Sequence, residues 1–302
     1  MNAVEVKDLS KKYGDLTAVD NFSFSVARGE LVAVVGPDGA GKTTIFRILC
    51  NLIDYDSGDI IIDGRSHRTE FETIKNILGY MPQHFSLYPD LSVEENLSFY
   101  AGLFGLDRTQ FNNKKESLYK FSGLGPFADR RAADLSGGMK QKLALSCNLI
   151  HDPEILLLDE PTTGVDPLSR RQFWDILKTL KHSGSSIVVS TPYMDEVALA
   201  DRAVFIYQGR KLTEGTPDEL IAQFDGNVYR ADFFPSAKCM EQLEKIHGLS
   251  SRRFGSTIHL YTKADKPIDT YYDDLASVGI EQAMLQKIDP DLEDVFIQLI
   301  GQ

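Results

Sequence analysis

Gly36-Pro37-Asp38-Gly39-Ala40-Gly41-Lys42-Thr43-Thr44 fits the pattern G-x-x-x-x-G-K-[ST]. Before it lies Glu30 to Val35, a compact apolar run bounded by Gly29 and Gly36. A run this short suits a strand buried on both faces. After it, Ile45 to Leu52 reads as a helix. Strand, glycine-rich loop and helix, in that order, form the setting in which this pattern cradles phosphates. Glycines let backbone N–H groups come close to phosphate oxygens, and a helix N-terminus adds positive potential. In such a loop Lys42 reaches the β- and γ-phosphates, and Thr43 offers a hydroxyl to Mg²⁺. Asp38 brings a negative charge beside a polyanion, which is tolerated where the carboxylate faces solvent.

The rest of the chain alternates in character. Val4 to Leu9, Asn21 to Val26 and Asp59 to Asp63 are short strand candidates. From about Phe85 to Cys147, apolar residues recur at helical spacing. Strand patterns return at Ile155 to Leu158, Ser186 to Ser190 and Ala203 to Tyr207, with helical stretches between them. This order argues for an α/β core with a helical insertion. The pattern breaks around Phe224 to Asn227 at a turn signal. Beyond it the reading is strand, helix, strand, helix, strand. Ile258 to Tyr261 is the clearest of these strands, and Met240 to His247 and Ile268 to Val278 are the helix candidates. The expected domains are therefore residues 1–224 and a small α+β unit, 225–302.

Composition limits the partners. The net charge of −12 makes the phosphate backbone of nucleic acid a poor partner, so none is expected. No apolar run approaches the ~18 residues that span a bilayer. Met1 to Ser10 alternates apolar and charged residues, unlike a targeting peptide. Three scattered cysteines, Cys50, Cys147 and Cys239, build neither a disulfide framework nor a Cys-x-x-Cys metal site, and read as ordinary buried thiols in a reducing compartment.

Two further motifs carry chemistry. Glu154-Ile155-Leu156-Leu157-Leu158-Asp159-Glu160-Pro161 is an apolar strand ending in two carboxylates, where open α/β sheets bind ligands. Asp159 would hold Mg²⁺, and Glu160 is placed to act as general base on water. Leu135-Ser136-Gly137-Gly138-Met139-Lys140-Gln141 precedes a helix expected over Met139 to Ile150. It is a second anion site of hydroxyl, bare amides and helix dipole, or alone simply a helix cap.

With these motifs in this order, residues 1 to about 224 resemble the ATP-binding-cassette (ABC) ATPase family. The resemblance implies ATP and Mg²⁺ as cofactors. It also implies a P-loop NTPase core with an antiparallel β subdomain and a helical subdomain at about 85–147. Tyr13 matches the aromatic that stacks on adenine. Gln83, in Gly79-Tyr80-Met81-Pro82-Gln83, matches the glutamine that senses Mg²⁺ and attacking water. Ser136 and Gly138, with Gly137 between them, match residues that reach the γ-phosphate of an opposite subunit. Thr163-Gly164-Val165-Asp166 matches the loop through which subunits communicate. The implied active unit is a head-to-tail dimer, of this chain with itself or with a second ABC ATPase.

One position departs from the family. In Ser190-Thr191-Pro192-Tyr193-Met194-Asp195-Glu196, Pro192 stands where a histidine usually contacts the γ-phosphate. Proline offers no donor, so weakened hydrolysis is expected unless Tyr193 substitutes or a partner supplies the histidine. His84 and His151, near the motifs, read as exposed loop residues. Phe85 to Leu97 looks like the groove for a transporter's membrane subunit. The tail Asp289 to Phe296 is similar to those of bacterial exporter ATPases. The resemblance therefore implies an exporter subunit with a separate transmembrane permease, peripheral on the cytoplasmic face of the inner or plasma membrane. A soluble ABC ATPase of ribosome or DNA repair, and a weakly hydrolysing regulatory subunit, remain as alternatives.

Overall fold

β3 (Leu31–Val35), β7 (Ile155–Asp159) and β8 (Ser186–Thr191) are buried along their whole lengths. They form the middle of a six-stranded sheet of order β10-β9-β3-β8-β7-β6. β6 (Leu78–Met81), β9 (Arg202–Tyr207) and β10 (Arg210–Gly215) complete it. All neighbours pair in parallel except the β9–β10 hairpin. Burial on both faces is why the central strands read as unbroken apolar runs. Parallel pairing brings their carboxyl ends to one edge, where ligands bind in such sheets. The segments leaving β3, β6, β7 and β8 at that edge carry Lys42, Gln83, Glu160 and Pro192. The computed structural model describes residues 2–84, 86–232 and 234–301. Phe85, the expected start of the helical insertion, lies outside them.

A second, antiparallel sheet has the order β2-β1-β4-β5. Its strands are β1 (Asn2–Tyr13), β2 (Leu16–Ala27), β4 (Ser57–Ile62) and β5 (Arg65–Ser66). β1 and β2 run longer than their sequence patterns suggest. Asp8 and Asn21 adopt positive φ, and the register shifts around Asp8 interrupt the alternation on which a strand reading depends. The inner face of this sheet shares a core with α1 (Lys42–Leu49), through Val6, Phe22, Ile45 and Leu49 among others. α1 begins at Lys42 rather than Ile45. It ends before Leu52 because Asn51 takes φ 53°, a left-handed stop. α2 (His67–Ile74) follows β5.

The helical insertion holds α3 (Val93–Leu103), α4 (Arg108–Ser122) and α5 (Gly137–Asn148). Reciprocal capping boxes start the first two, Ser92 with Glu95 and Asp107 with Gln110. α5 starts two positions ahead of the expected Met139, capped by Ser136, whose hydroxyl accepts from Met139 N at 3.3 Å. α6 (Pro167–His182) follows β7 and is capped by Asp166. α7 (Met194–Val197) follows β8.

The chain divides into two units, residues 1–217 and 218–302, with α8 (Pro217–Ile221) at the division. The second unit runs β11 (Asn227–Ala231), α9 (Ala237–Leu243), β12 (Leu249–Phe254), β13 (Thr257–Thr262), α10 (Tyr272–Ser277), β14 (Leu285–Ile288) and α11 (Leu292–Ile300). Its antiparallel sheet, ordered β12-β13-β11-β14, is a split β-α-β arrangement. It differs from the sequence reading in four ways. α9 starts three residues before the expected Met240 and ends four before His247. The expected strand Ile258 to Tyr261 lies within β13, and an additional strand, β12, precedes it across a tight turn at Gly255-Ser256. Ile268 to Tyr271 is a 3-10 turn, and only Tyr272 to Ser277 is α-helical. The tail residues Asp291 and Asp294 form the capping box of a final helix whose Val295 and Phe296 are buried.

Candidate nucleotide site

The loop after β3 folds back on its own scaffold. Gly41 has φ 107°, and a Cβ there would lie 2.5 Å from Ala18 O, so no side chain fits. Asp38 is exposed, the placement in which its charge is tolerated. Lys42 is almost wholly buried, and its ammonium donates to the carbonyls of Gly36 at 2.8 Å and Pro37 at 3.0 Å.

The same ammonium lies 3.0 Å from Glu160 Oε1, with both side chains at most 5% exposed. Gln83 Nε2 donates to Glu160 Oε2 at 2.9 Å, and the Thr163 hydroxyl donates to the same oxygen at 3.2 Å. Glu160 itself has φ 48°, an uncommon conformation for a residue with a Cβ. Ser190 secures it, because Glu160 N donates to both the Ser190 hydroxyl (2.9 Å) and carbonyl (3.2 Å). Ser190 also donates to Asp159 Oδ1 at 2.6 Å. One serine at the end of β8 thus orients both carboxylates at the end of β7.

Asp159 is fully buried, and burial pushes its carboxyl above the usual range. The Ser190 and Thr43 hydroxyls pull the other way, Glu160 adds to the rise, and Lys42 opposes it. Asp159 Oδ2 is buried without a hydrogen-bond partner among the described residues. An oxygen left unpaired beside the Thr43 hydroxyl is a donor set that suits Mg²⁺, which takes one or two carboxylates and completes its shell with phosphate and water. No group of three or more His, Cys, Asp or Glu could hold a metal among the described residues.

An open cleft of about 1070 Å³ runs from this cluster to Tyr13. Gly39, Gly41, Lys42, Thr43, Thr44 and Glu160 line it on the loop side. Tyr13 is 46% exposed, so it is no core tyrosine, and Lys11 Nζ lies 5.4 Å from its ring centroid. Sequence reasoning missed the opposite wall. It comes from the first part of β2 and the β9–β10 hairpin, where Asp20 accepts from Arg210 Nε at 2.7 Å. The Gln208-Gly209 turn is a readable hairpin signal, but nothing local says that it borders a cleft.

Ser136, Gly137 and Gly138 are not among the described residues lining that cleft. The two glycines lie instead beside the first turn of α6 and the loop before it: a Cβ on Gly138 would sit 2.5 Å from Ser169 Oγ, and one on Gly137 would sit 3.8 Å from Gly164 O. Within one chain the second anion motif and the phosphate loop are therefore apart. Tyr193 is not a lining residue either, and its ring stacks under the Arg170 guanidinium at 4.0 Å. His84 is exposed as expected. His151 is not: it stacks on Phe104, the residue that ends α3, at 3.7 Å, and its Nε2 lies 2.9 Å from Leu78 O.

Comparison with known proteins agrees with this geometry. Residues 19–163 match the family model described as ABC transporter. The probable multidrug ABC transporter ATP-binding protein YbhF of Escherichia coli is 43% identical over 220 residues, which are 73% of this chain but 38% of YbhF. The chain thus spans well under half of that relative. Nod factor export ATP-binding protein I of Rhizobium etli is 34% identical over 310 residues, covering 100% of this chain and 94% of that protein. A dimeric structure of the ATP-binding cassette MJ0796, bound to ADP and Pi, matches with a TM-score of 0.65 and 26% identity over 70% of this chain and 98% of that one. A phosphate loop, a buried carboxylate pair and a signature helix on this parallel sheet define an ATP-binding cassette. The chain belongs to the family of ABC transporter ATP-binding proteins.

Proposed function

We propose that this chain is the ATP-hydrolysing subunit of an exporter and drives a separate membrane protein through ATP-dependent dimerisation. The observation that carries the proposal is the buried Lys42–Glu160 pair, joined by Gln83, at the carboxyl edge of the parallel sheet. It joins a phosphate-binding cation to a carboxylate able to accept a proton from water. Tyr13 stacks on adenine at the open end of the cleft. The loop amides from Gly36 to Thr44 hold the phosphates, and Lys42 exchanges its carbonyl and carboxylate partners for β- and γ-phosphate oxygens. Thr43, Asp159 and Gln83 would hold Mg²⁺, which neutralises phosphate charge. Glu160 then accepts a proton from the attacking water.

The separation of Ser136 and Gly138 from the cleft supports a head-to-tail dimer, with the signature of one subunit closing over the nucleotide of the other. Among the described residues no helix is long and apolar enough to cross a membrane, and relatives named for multidrug and Nod factor export support a permease partner. Pro192 favours a second reading for one dimer arrangement, in which this chain hydrolyses weakly and pairs with a subunit that carries the histidine.

Affinity purification from a mild detergent extract, followed by an ATPase assay of the eluate, tests these points together. A multi-span membrane protein in the eluate and turnover abolished by Glu160→Gln are expected. Recovery of the chain alone would refute the permease partner, and turnover indifferent to Glu160→Gln would refute the hydrolytic role of that carboxylate.

A further inference from the structure

Glu196 is a carboxylate with 2% exposure that is not among the described residues lining the nucleotide cleft. Three elements converge on it. The Thr162 hydroxyl donates to Oε1 at 2.7 Å, the Thr191 hydroxyl donates to Oε2 at 2.5 Å, and Arg170 Nε donates to Oε1 at 3.1 Å. Thr162 stands two positions after Glu160, on the turn that leads into Thr163-Gly164-Val165-Asp166. Thr191 is the last residue of β8 and directly precedes Pro192. Arg170 is on α6. Its terminal nitrogen also donates to both oxygens of Asp195 at 3.1 Å, and its guanidinium covers the Tyr193 ring. Tyr193 N donates back to the Thr191 hydroxyl at 3.1 Å. Thr162 and Arg170 reach Glu196 from distant segments, and Thr191 reaches it from the end of β8. A buried charge of this kind persists only when its partners hold it.

We infer that Glu196 is a positioning residue for hydrolysis. Its carboxylate clamps the Glu160 turn to the segment carrying Pro192 and to α6. It does so at the place where a γ-phosphate-contacting histidine is missing. The inference rests on the proposed role of Glu160. Ser190 fixes the start of the Glu160 turn and Glu196 fixes its end through Thr162, so the carboxylate at φ 48° is held from both sides. A misplacement of about 1 Å in such a group costs on the order of 100-fold in rate.

The test measures kcat, KM for ATP, nucleotide affinity and Tm on the full chain, for Glu196→Gln, Thr162→Val, Thr162→Ser and Glu160→Gln. Thr162→Val keeps the shape and removes only the hydroxyl, so it guards against misfolding of the Glu196 variant. We expect kcat to fall about tenfold or more in Glu196→Gln and Thr162→Val, while KM and nucleotide affinity stay within about twofold. Thr162→Ser, which restores the donor, should recover most of the rate. Wild-type kcat in Thr162→Val, or losses in kcat and nucleotide affinity of equal size, would overturn the clamp while Glu160→Gln remains inactive. Wild-type turnover in Glu160→Gln would overturn the underlying reading of Glu160, and the clamp with it.

Discussion

Lys42 and Glu160 neutralise each other across 3.0 Å in a site where neither side chain is more than 5% exposed. A loop lysine free for phosphate would have no protein counter-charge, so nucleotide entry must divide this pair. Removing one member of a buried pair costs about 3–5 kcal/mol, because the other charge is left uncompensated. Lys42→Ala should therefore destabilise the nucleotide-free protein by about 3 kcal/mol as well as abolish tight ATP binding. Adding Glu160→Gln should restore the stability without restoring affinity. Calorimetry and nucleotide titration of the single and double variants check this. Additive destabilisation would show that the two side chains are not coupled, and unchanged affinity in Lys42→Ala would contradict its phosphate role.

Asp159 has the opposite energetic character. Burial raises its folded pKa above the unfolded value, so the stability linked to its protonation is fully present below the unfolded pKa. That stability is lost as pH rises through the folded pKa. At neutral pH the buried charge is thus a cost. Asp159→Asn keeps an acceptor for Ser190 and should raise the Tm of the nucleotide-free protein at pH 7, by about 2–4 °C for each kcal/mol relieved. The advantage should shrink as pH falls, and stabilisation by Mg²⁺ with ATP should be lost. Thermal scans between pH 5 and pH 8 read all three effects. A lower Tm for the Asn variant at pH 7 would contradict the assignment.

The parts of this molecule that could be read from the sequence are those whose chemistry is local. The unbroken apolar runs at β3 and β7 follow from burial on both faces, and the glycine-rich loop carries its own geometry. Helix ends were shifted where a single residue decided them, as with the left-handed Asn51 and the Ser136 cap. Positive φ at Asp8 and Asn21 hid about half of β1 and β2 from a pattern search. Asp20 with Arg210, and Thr162 with Glu196, lie 190 and 34 positions apart and carry no motif. Only the sheet order, which places β8 beside β7, brings Ser190 to Asp159.

Pro192 tests how much of the missing histidine the fold replaces. The turn around it is held by its neighbours: Thr191 bonds to Glu196 and to Tyr193 N, and Arg170 covers Tyr193. Substitution at Pro192 should therefore leave the turn in place, at a cost of about 0.4–1 kcal/mol from greater freedom of the unfolded chain. A histidine there would restore the donor type that the family resemblance assigns to the γ-phosphate contact. Single donors of transition-state charge are worth about 100-fold or more when well placed. A grafted donor without its own support should deliver less, so Pro192→His should raise kcat about tenfold at unchanged KM. Steady-state kinetics at saturating ATP measure this directly. An unchanged or lower kcat, with Tm intact, would mean that the Glu196-anchored turn already supplies the positioning that the histidine provides elsewhere in the family.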